Sequence, residues 1–225
     1  MSLLPRALPA FITICSLGFV SESAAGPGAG VRWSLEDTKS VGGQAVDVWG
    51  SPKIEPSGGI RFDGKADALI VPTVPIAGWP EFTIQALFSP DRDGPHEQRF
   101  LHFEDTEGRR GLLEIRVTPD GSWYLDTFLF ARESHKLALI DATKLHPGGK
   151  FYWVALTFKD GRMTHFVNGI KECEGSVQFE PMKPAGRTSL GVRQNKVSWF
   201  KGVLREFRFD PVALPAEKLE GANPL

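Results

Sequence analysis

Tyr152-Trp153-Val154-Ala155-Leu156-Thr157-Phe158-Lys159-Asp160-Gly161-Arg162-Met163-Thr164-His165-Phe166-Val167-Asn168-Gly169 is the stretch that decides the fold. Bulky apolar residues recur at every second position on both sides of Asp160-Gly161. That is the period of a strand with one buried face, not the 3.6-residue period of a helix. Asp-Gly and Asn-Gly are the dipeptides that best tolerate the left-handed backbone of a two-residue hairpin turn. The segment therefore predicts two antiparallel strands and the start of a third.

The same grammar extends in both directions. Phe82 to Phe88 is β-branched and aromatic, and stops at Ser89-Pro90. Ile60-Arg61-Phe62 runs into Asp63-Gly64, and Ala68 to Val71 ends at Pro72. Gly111 to Val117 and Ser122 to Phe130 flank Thr118-Pro119-Asp120-Gly121, another hairpin signal. Val203 to Phe209 closes the series, and the 24 glycines and 17 prolines fall mainly between these runs. Many short strands with turn residues between them predict an all-β sandwich. Helical pieces are expected only as a turn near Ala142-Thr143-Lys144 and in the tail from Ala216 to Leu219.

The chain has 225 residues, 41 % of them hydrophobic and 24 % charged, enough for one domain with a sizeable core. Lys and Arg number 26 against 27 Asp and Glu, a net charge of −1. No excess of positive charge is present to draw nucleic acid, and no Lys/Arg run suits an anionic membrane surface. Arg6, the apolar run Ala7 to Val20 and the small residues Ser23-Ala24-Ala25 read as a secretory signal peptide over residues 1–25, cleaved near Ala25. The apolar run is shorter than the roughly 20 residues that span a bilayer, and no integral membrane segment is expected in the mature chain. Residues 26–30, Gly-Pro-Gly-Ala-Gly, read as a flexible linker, 31–215 as the domain, and 216–225 as a C-terminal tail. The expected location is secreted or periplasmic. Only Cys173 lies beyond the cleavage point, so no internal disulfide is expected.

Several segments together resemble one family. Gly59-Ile60-Arg61-Phe62-Asp63-Gly64 followed by Asp67-Ala68-Leu69-Ile70-Val71 resembles the opening strands of laminin-G-like jelly rolls. Phe82 to Phe88 is similar to their next strand, and Tyr152 to Gly169 to their central hairpin. Phe200-Lys201-Gly202-Val203-Leu204-Arg205-Glu206-Phe207-Arg208-Phe209 resembles their closing strand. Order and spacing agree from about residue 59 to 215. The resemblance implies a two-sheet antiparallel jelly-roll sandwich of the concanavalin A-like, laminin-G-like type. That fold hosts lectins, carbohydrate-binding modules, glycoside hydrolases, polysaccharide lyases and protein-adhesion domains, so it does not fix a function.

Strand alternation nominates one face. With Leu101 and Phe103 inward, His102 and Glu104 point away; with Leu113, Ile115 and Val117 buried, Glu114 and Arg116 face out. Tyr124 and Asp126 share the side opposite Trp123 and Leu125. These six residues suit a concave carbohydrate-binding face, with carboxylates and Arg for hydroxyls or acidic sugars and Tyr for stacking on a ring. Arg193 and Trp199, in a polar loop before the last strand, are further ligand-binding candidates. The alternative is a solvated face whose charges pair across strands.

Three functions stay open. The leading one is a polysaccharide-binding module. The second is a polysaccharide lyase or glycoside hydrolase on the same face. In jelly-roll lyases Arg neutralises a uronate while His and Tyr move protons, and His102, Arg116 and Tyr124 supply those residue types. A hydrolase needs two carboxylates, such as Glu104 and Glu114, roughly 5 to 10 Å apart. The third is a structural or adhesion domain that binds protein. No cofactor is required by any motif; the resemblance implies a structural calcium, for which Asp63 and Asp67 are the loop carboxylates at hand. His96 and His135 are expected in polar loops, His146 in a loop, and His165 within a sheet. The sequence carries no signal of oligomeric state.

Overall fold

A computed structural model of the chain describes Met1 and residues 29–222. The signal-peptide segment 1–25 and its cleavage site lie outside the described residues, apart from Met1.

The first strands are β1 (Val31–Ser34), β2 (Ser40–Val41), β3 (Gln44–Ala45), β4 (Asp47–Trp49), β5 (Lys53–Ile54) and β6 (Ile60–Asp63). They are followed by β7 (Ala68–Val71), β8 (Phe82–Pro90), β9 (Glu97–Asp105), β10 (Arg110–Val117), β11 (Ser122–Arg132) and β12 (His135–Ile140). The series ends with β13 (His146–Pro147), β14 (Tyr152–Lys159), β15 (Arg162–Val167), β16 (Ile170–Ser176), β17 (Gly186–Leu190) and β18 (Lys201–Asp210). One 3₁₀ turn, Ala216–Lys218, follows.

Two antiparallel sheets of eight strands form the sandwich. The first runs β16-β15-β14-β8-β18-β6-β5, with β1 also on β18; the second runs β12-β11-β10-β9-β17-β7-β4, with β13 on β11. β2 and β3 pair separately. Every run expected from alternation is a strand, and the turns behave as their residues demand. Asp160 and Asn168 sit at φ 48° and 47°, each followed by a glycine at 75° or 74°, so both hairpins close on two left-handed residues.

Aromatic side chains fill the space between the sheets. Phe88 of the first sheet stacks on Phe100 of the second at 4.6 Å and meets Trp123 edge-on at 5.1 Å. Phe200 closes the cluster at 5.9 Å from Phe100. Such rings bury 150–250 Å² each and add about 0.5–1.5 kcal/mol per pair beyond area. The segment expected as a tail packs back: Leu219 is buried against Ala155 and Phe166 on the outside of the first sheet, and the Glu220 amide donates to Gln85.

Two histidines differ from expectation. His135 opens β12 instead of lying in a loop. His146 pairs with Trp123 in a short strand, with Nε2 2.8 Å from Glu172 Oε1. His165, expected within a sheet, is buried between the layers, and its Nδ1 pairs with Thr127 Oγ1 at 3.0 Å across the sandwich. Its Nε2 has no partner, and burial pushes the imidazole pKa down to about 4.

The unfolded chain takes up this proton near pH 6.5, whereas the folded chain resists until about pH 4. The neutral ring's contribution is therefore complete above about 6.5 and is lost as pH falls toward 4, by about 3 kcal/mol in all. Denaturant titrations from pH 7 to 4.5 should show a shallower loss of stability for His165→Gln than for wild type. Parallel curves would contradict this placement. Phe88→Ala should cost about 3–5 kcal/mol in the same measurement.

Candidate functional site

The face of the second sheet that points away from the core carries all six residues nominated by alternation. Cross-strand register joins them: Glu114 lies opposite Asp126, Arg116 opposite Tyr124, and His102 opposite Leu112. They share a face, but not all meet solvent. His102, Glu114 and Asp126 are only 1 %, 4 % and 2 % exposed. Their cover comes from long neighbouring side chains and from the loop before β18. That loop is pinned over the sheet: the Gln194 amide donates to His102 Nδ1, and its side chain donates to the carbonyls of His102 and Arg187.

A β-bulge in β9 reshapes the charge pattern. Leu113 pairs with Leu101, but Glu114 pairs with Arg99, leaving Phe100 as an extra residue. Phe100 and Leu101 therefore both enter the core, and Arg99 is turned onto the open face. Strict alternation from Leu101 and Phe103 assigns Arg99 to the interior, so the sequence reading missed it.

Arg99 and Arg116 are held by three carboxylates. Arg99 reaches Glu97 at 2.5 Å and places Nε 2.8 Å from Glu114 Oε2. Arg116 contacts Asp126 at 2.6 Å, Glu97 at 3.0 Å and Glu114 at 3.7 Å. Glu114 has a buried oxygen with no aligned hydrogen bond. Its burial, and then the facing Asp126, push its carboxyl pKa up to about 7. Burial also raises the Asp126 carboxyl, against the pull of Arg116. Arg116 is thus tied into the sheet, as the charge-pairing alternative expects.

A second group of arginines is differently placed. Arg110 lies with its guanidinium 3.8 Å from the centre of the Phe130 ring. Arg187 donates to Gln194 Oε1 at 2.9 Å. Among the described residues, no carboxylate oxygen stands within 4 Å of Arg110, Arg187 or Arg193; the ion pairs of this face go to Arg99, Arg116 and His102. Burial holds the Arg110 guanidinium below its usual range. Arg110 could have been found by carrying the alternation of Leu112, Glu114 and Arg116 two residues back. Arg187 could not, because β17 carries no clear alternation.

These arginines frame two cavities. One, of about 190 Å³, has Leu112, Phe128, Ala138 and Ile140 in its lining, with Glu114 and Asp126 among its polar walls. The other, of about 340 Å³, is lined by His102, Glu104, Arg187, Gln194 and Asn195. Arg110 and Arg193 belong to both. Eleven buried side-chain atoms lack a hydrogen-bond partner among the described residues. Six lie on this one face, on Arg99, His102, Arg110, Glu114, Arg116 and Asp126. Four of the six, on Arg99, His102, Glu114 and Arg116, belong to the ion pairs of this face. Arg110 Nε and Asp126 Oδ1, both on residues that line the first cavity, do not, and since buried polar atoms are ordinarily satisfied these two mark a place for a polar guest or ordered water.

The remaining expected site residues are dispersed. His102 Nε2 is 3.2 Å from Glu104 Oε2, poorly aligned for a hydrogen bond; the imidazole holds the Glu104 carboxyl below its usual range. Arg116 and Tyr124 face each other, but His102 sits opposite Leu112, four residues along β10 from Arg116, which is about 13 Å of strand. Glu104 and Glu114 are separated equally, since Glu104 lies opposite Arg110. Trp199 packs edge-on against Trp49 at 6.4 Å, in a small cluster with Val192, Ala68 and Ile70, and lines neither cavity. Asp63 Oδ1 accepts the amides of Lys65, Ala66 and Asp67. Both oxygens of Asp67 accept amides too, from Ser51 and Asp63. These carboxylates serve the turn.

Residues 63–220 match the family model described as the concanavalin A-like lectin/glucanases superfamily. No curated protein matches the chain. Among solved structures, the chain is similar to the botulinum neurotoxin serotype D binding domain, with 14 % identity, a TM-score of 0.62, and coverage of 84 % of this chain and 50 % of that one. The serotype D ligand binding domain in complex with N-acetylneuraminic acid gives 13 %, 0.61, 83 % and 48 %. The serotype C1 binding domain gives 12 %, 0.60, 84 % and 50 %. The chain spans about half the length of these structures, and at such identity the likeness is one of fold.

The Glu114 geometry has a measurable consequence. The folded state keeps a proton that the unfolded state releases near pH 4.5, so this group's contribution is full below about 4.5 and is lost as pH rises through about 7, by roughly 3 kcal/mol. Glu114→Gln should gain stability relative to wild type between pH 5 and pH 8 in thermal melts; a constant difference would sink the assignment. Arg116→Ala should cost about 3 kcal/mol or more at pH 8, because it strands buried carboxylates.

Proposed function

The chain belongs to the concanavalin A-like lectin/glucanases superfamily, and from that footing we propose that it is a binding module for an acidic carbohydrate, held on the open face of the second sheet. The observation that carries this reading is the convergence of Arg110, Arg187 and Arg193 on one cleft without carboxylate partners. A guanidinium offers a planar fork of donors that matches a carboxylate or sulfate. Partly desolvated beside Phe130, Arg110 offers it at reduced competition from water.

The neighbouring cavity supplies the complementary part. Leu112, Phe128, Ala138 and Ile140 give an apolar lining suited to the carbon face of a sugar ring, while Asp126 and Glu114 accept from hydroxyls. One solved structure of similar fold holds N-acetylneuraminic acid, itself an acidic sugar. That likeness supports the class of ligand; the unpaired arginines support its charge. Export, expected from residues 1–25, would bring such a domain to glycans outside the cell.

Isothermal titration of the protein with acidic and neutral oligosaccharides of equal length tests the reading. Acidic ones should bind and neutral ones should not. Arg110→Ala and Arg193→Ala should each weaken binding tenfold or more, since a hydrogen bond to a charged group contributes about 1.5–3 kcal/mol. Melting temperatures of both variants should stay close to wild type, because neither residue holds a buried carboxylate. Equal affinity for the neutral series, or no loss in either variant, would overturn the proposal.

A further inference from the structure

The loop between β17 and β18 is tied down at both ends. At its start the Ser189 hydroxyl donates to the Val192 carbonyl, and the Gly191 amide to the Phe100 carbonyl. At its end the Arg99 amide donates to the Ser198 carbonyl, and Trp199 packs on Trp49. The tip, Arg193 to Val197, closes on itself: the Arg193 amide donates to the Val197 carbonyl and the Lys196 amide to the Arg193 carbonyl. Lys196 and Ser198 take φ of 64° and 58°, a left-handed backbone that residues with a side chain rarely adopt. Such a conformation persists only where surrounding contacts impose it.

Among the described residues, every hydrogen bond from this tip to the sheet runs through Gln194. Its Oε1 accepts Arg187 Nε at 2.9 Å, and its Nε2 donates to the carbonyls of Arg187 and His102 at 2.9 and 3.2 Å. Its backbone amide donates to His102 Nδ1 at 3.1 Å. That last bond carries a chemical condition. A backbone amide can only donate, so Nδ1 must be the bare nitrogen of a neutral ring, with the proton on Nε2 toward Glu104. An imidazolium carries hydrogens on both nitrogens and would set one N–H against another.

Charged groups face this ring from each element packed around it. Glu104 of β9 lies 3.2 Å from Nε2. Arg110 of β10 and Arg187 of β17 are the cross-strand partners of Glu104, and Arg193 comes from the loop. Leu112 and Ser189, directly opposite His102 on the two neighbouring strands, carry no charge. Burial, more than any of these charges, holds the imidazole below its ordinary value; Glu104 pulls it up, and Arg193 and Arg110 push it down. With the loop released the ring meets water and titrates near the ordinary value of about 6.5. The latched state therefore takes this proton less readily than the released one. Its advantage is full above about pH 6.5 and declines as pH falls.

We infer that His102 is a proton-sensitive latch for the Gln194 loop: when neutral it keeps Arg187 and Arg193 in place around the cleft, and when protonated it releases the loop and disperses them. This rests on the acidic-carbohydrate reading above and supplies its regulation. Arg187 loses the partner that fixes its Nε, and Arg193 moves with the tip. An acidic ligand is then held at neutral pH and let go in mild acid. The sign is opposite to that of added charge alone, since an imidazolium, or a proton taken up by Glu114 on the same face, strengthens attraction for an anion.

Nuclear magnetic resonance of the 15N-labelled full chain, titrated from pH 7.5 to pH 5, tests the latch directly. The Gln194 amide resonance should move or broaden in step with protonation of His102 Nδ1. His102→Asn places a carbonyl oxygen near the position of Nδ1 and cannot take the proton, so its Gln194 resonance should hold steady over the same range. Calorimetry with a chondroitin sulfate tetrasaccharide, whose sulfates stay ionised throughout, reads the consequence. Wild-type affinity should fall about tenfold between the two pH values, the contribution of one hydrogen bond to a charged group. The variant's two affinities should agree within about twofold. A Gln194 resonance that stays put while His102 titrates overturns the latch, whether or not the variant folds. Binding that tightens in acid overturns it too, as does an equal loss in wild type and variant. If the tetrasaccharide binds at neither pH, the acidic-carbohydrate reading falls, and the Gln194 resonance alone decides the latch.

Discussion

Stacking of Phe88 on Phe100 across the two sheets, with Trp123 and Phe200 against the same rings, commits one side of each central strand to the interior. The pleat then leaves no choice for the alternate residues. On β10 the inward Leu113, Ile115 and Val117 drive Glu114 and Arg116 onto the opposite face, and on β11 the inward Trp123 and Leu125 do the same for Tyr124 and Asp126. The polar architecture of the open face is thus a by-product of apolar packing on the other side. A change of register would move the whole polar set into the core.

That open face contains two charge populations. Around Glu114, three carboxylates meet two guanidinium groups, and the excess negative charge is relieved by Glu114 keeping a proton near neutrality. Around Arg110, Arg187 and Arg193 the balance is reversed: Glu104 is the one carboxylate in the lining of their shared cavity, and among the described residues no carboxylate oxygen comes within 4 Å of the three guanidinium groups. The first population stabilises the sheet and contributes to its pH profile. The second is the part of the face with unmet electrostatic demand. His165, buried on the core side, titrates in the opposite sense from Glu114, so between about pH 4 and 7 the two groups pull stability in contrary directions.

Much of this was legible in the residues. Asp160-Gly161 and Asn168-Gly169 announce hairpins by backbone chemistry alone, and the period of two in Leu101–Glu104, Gly111–Val117 and Ser122–Phe130 places His102, Glu104, Glu114, Arg116, Tyr124 and Asp126 on one face. What escaped depends on contacts distant in sequence. β12 and β17 are short and lack clean alternation, so Arg187 went unassigned. Gln194 covers His102 from 92 residues away. Trp199, a ligand-binding candidate by sequence, packs edge-on against Trp49, a contact 150 residues away that the sequence does not announce. Arg99 was hidden by the bulge, which breaks the very rule used to read the face.

The bulge at Phe100 does more than aim a side chain. On its two sides, β9 carries opposite phases of the inward-outward pattern: Arg99 points out at an odd position, and His102 and Glu104 point out at even ones. A uniform strand that slips by two residues along its neighbour keeps its faces matched and loses little. β9 cannot do so, since any slip brings the extra residue against an unbroken stretch of β10 or β17. The irregularity therefore acts as a key that fits in one alignment only. It locks the register at the centre of the sheet, and with it the set of side chains that share the open face.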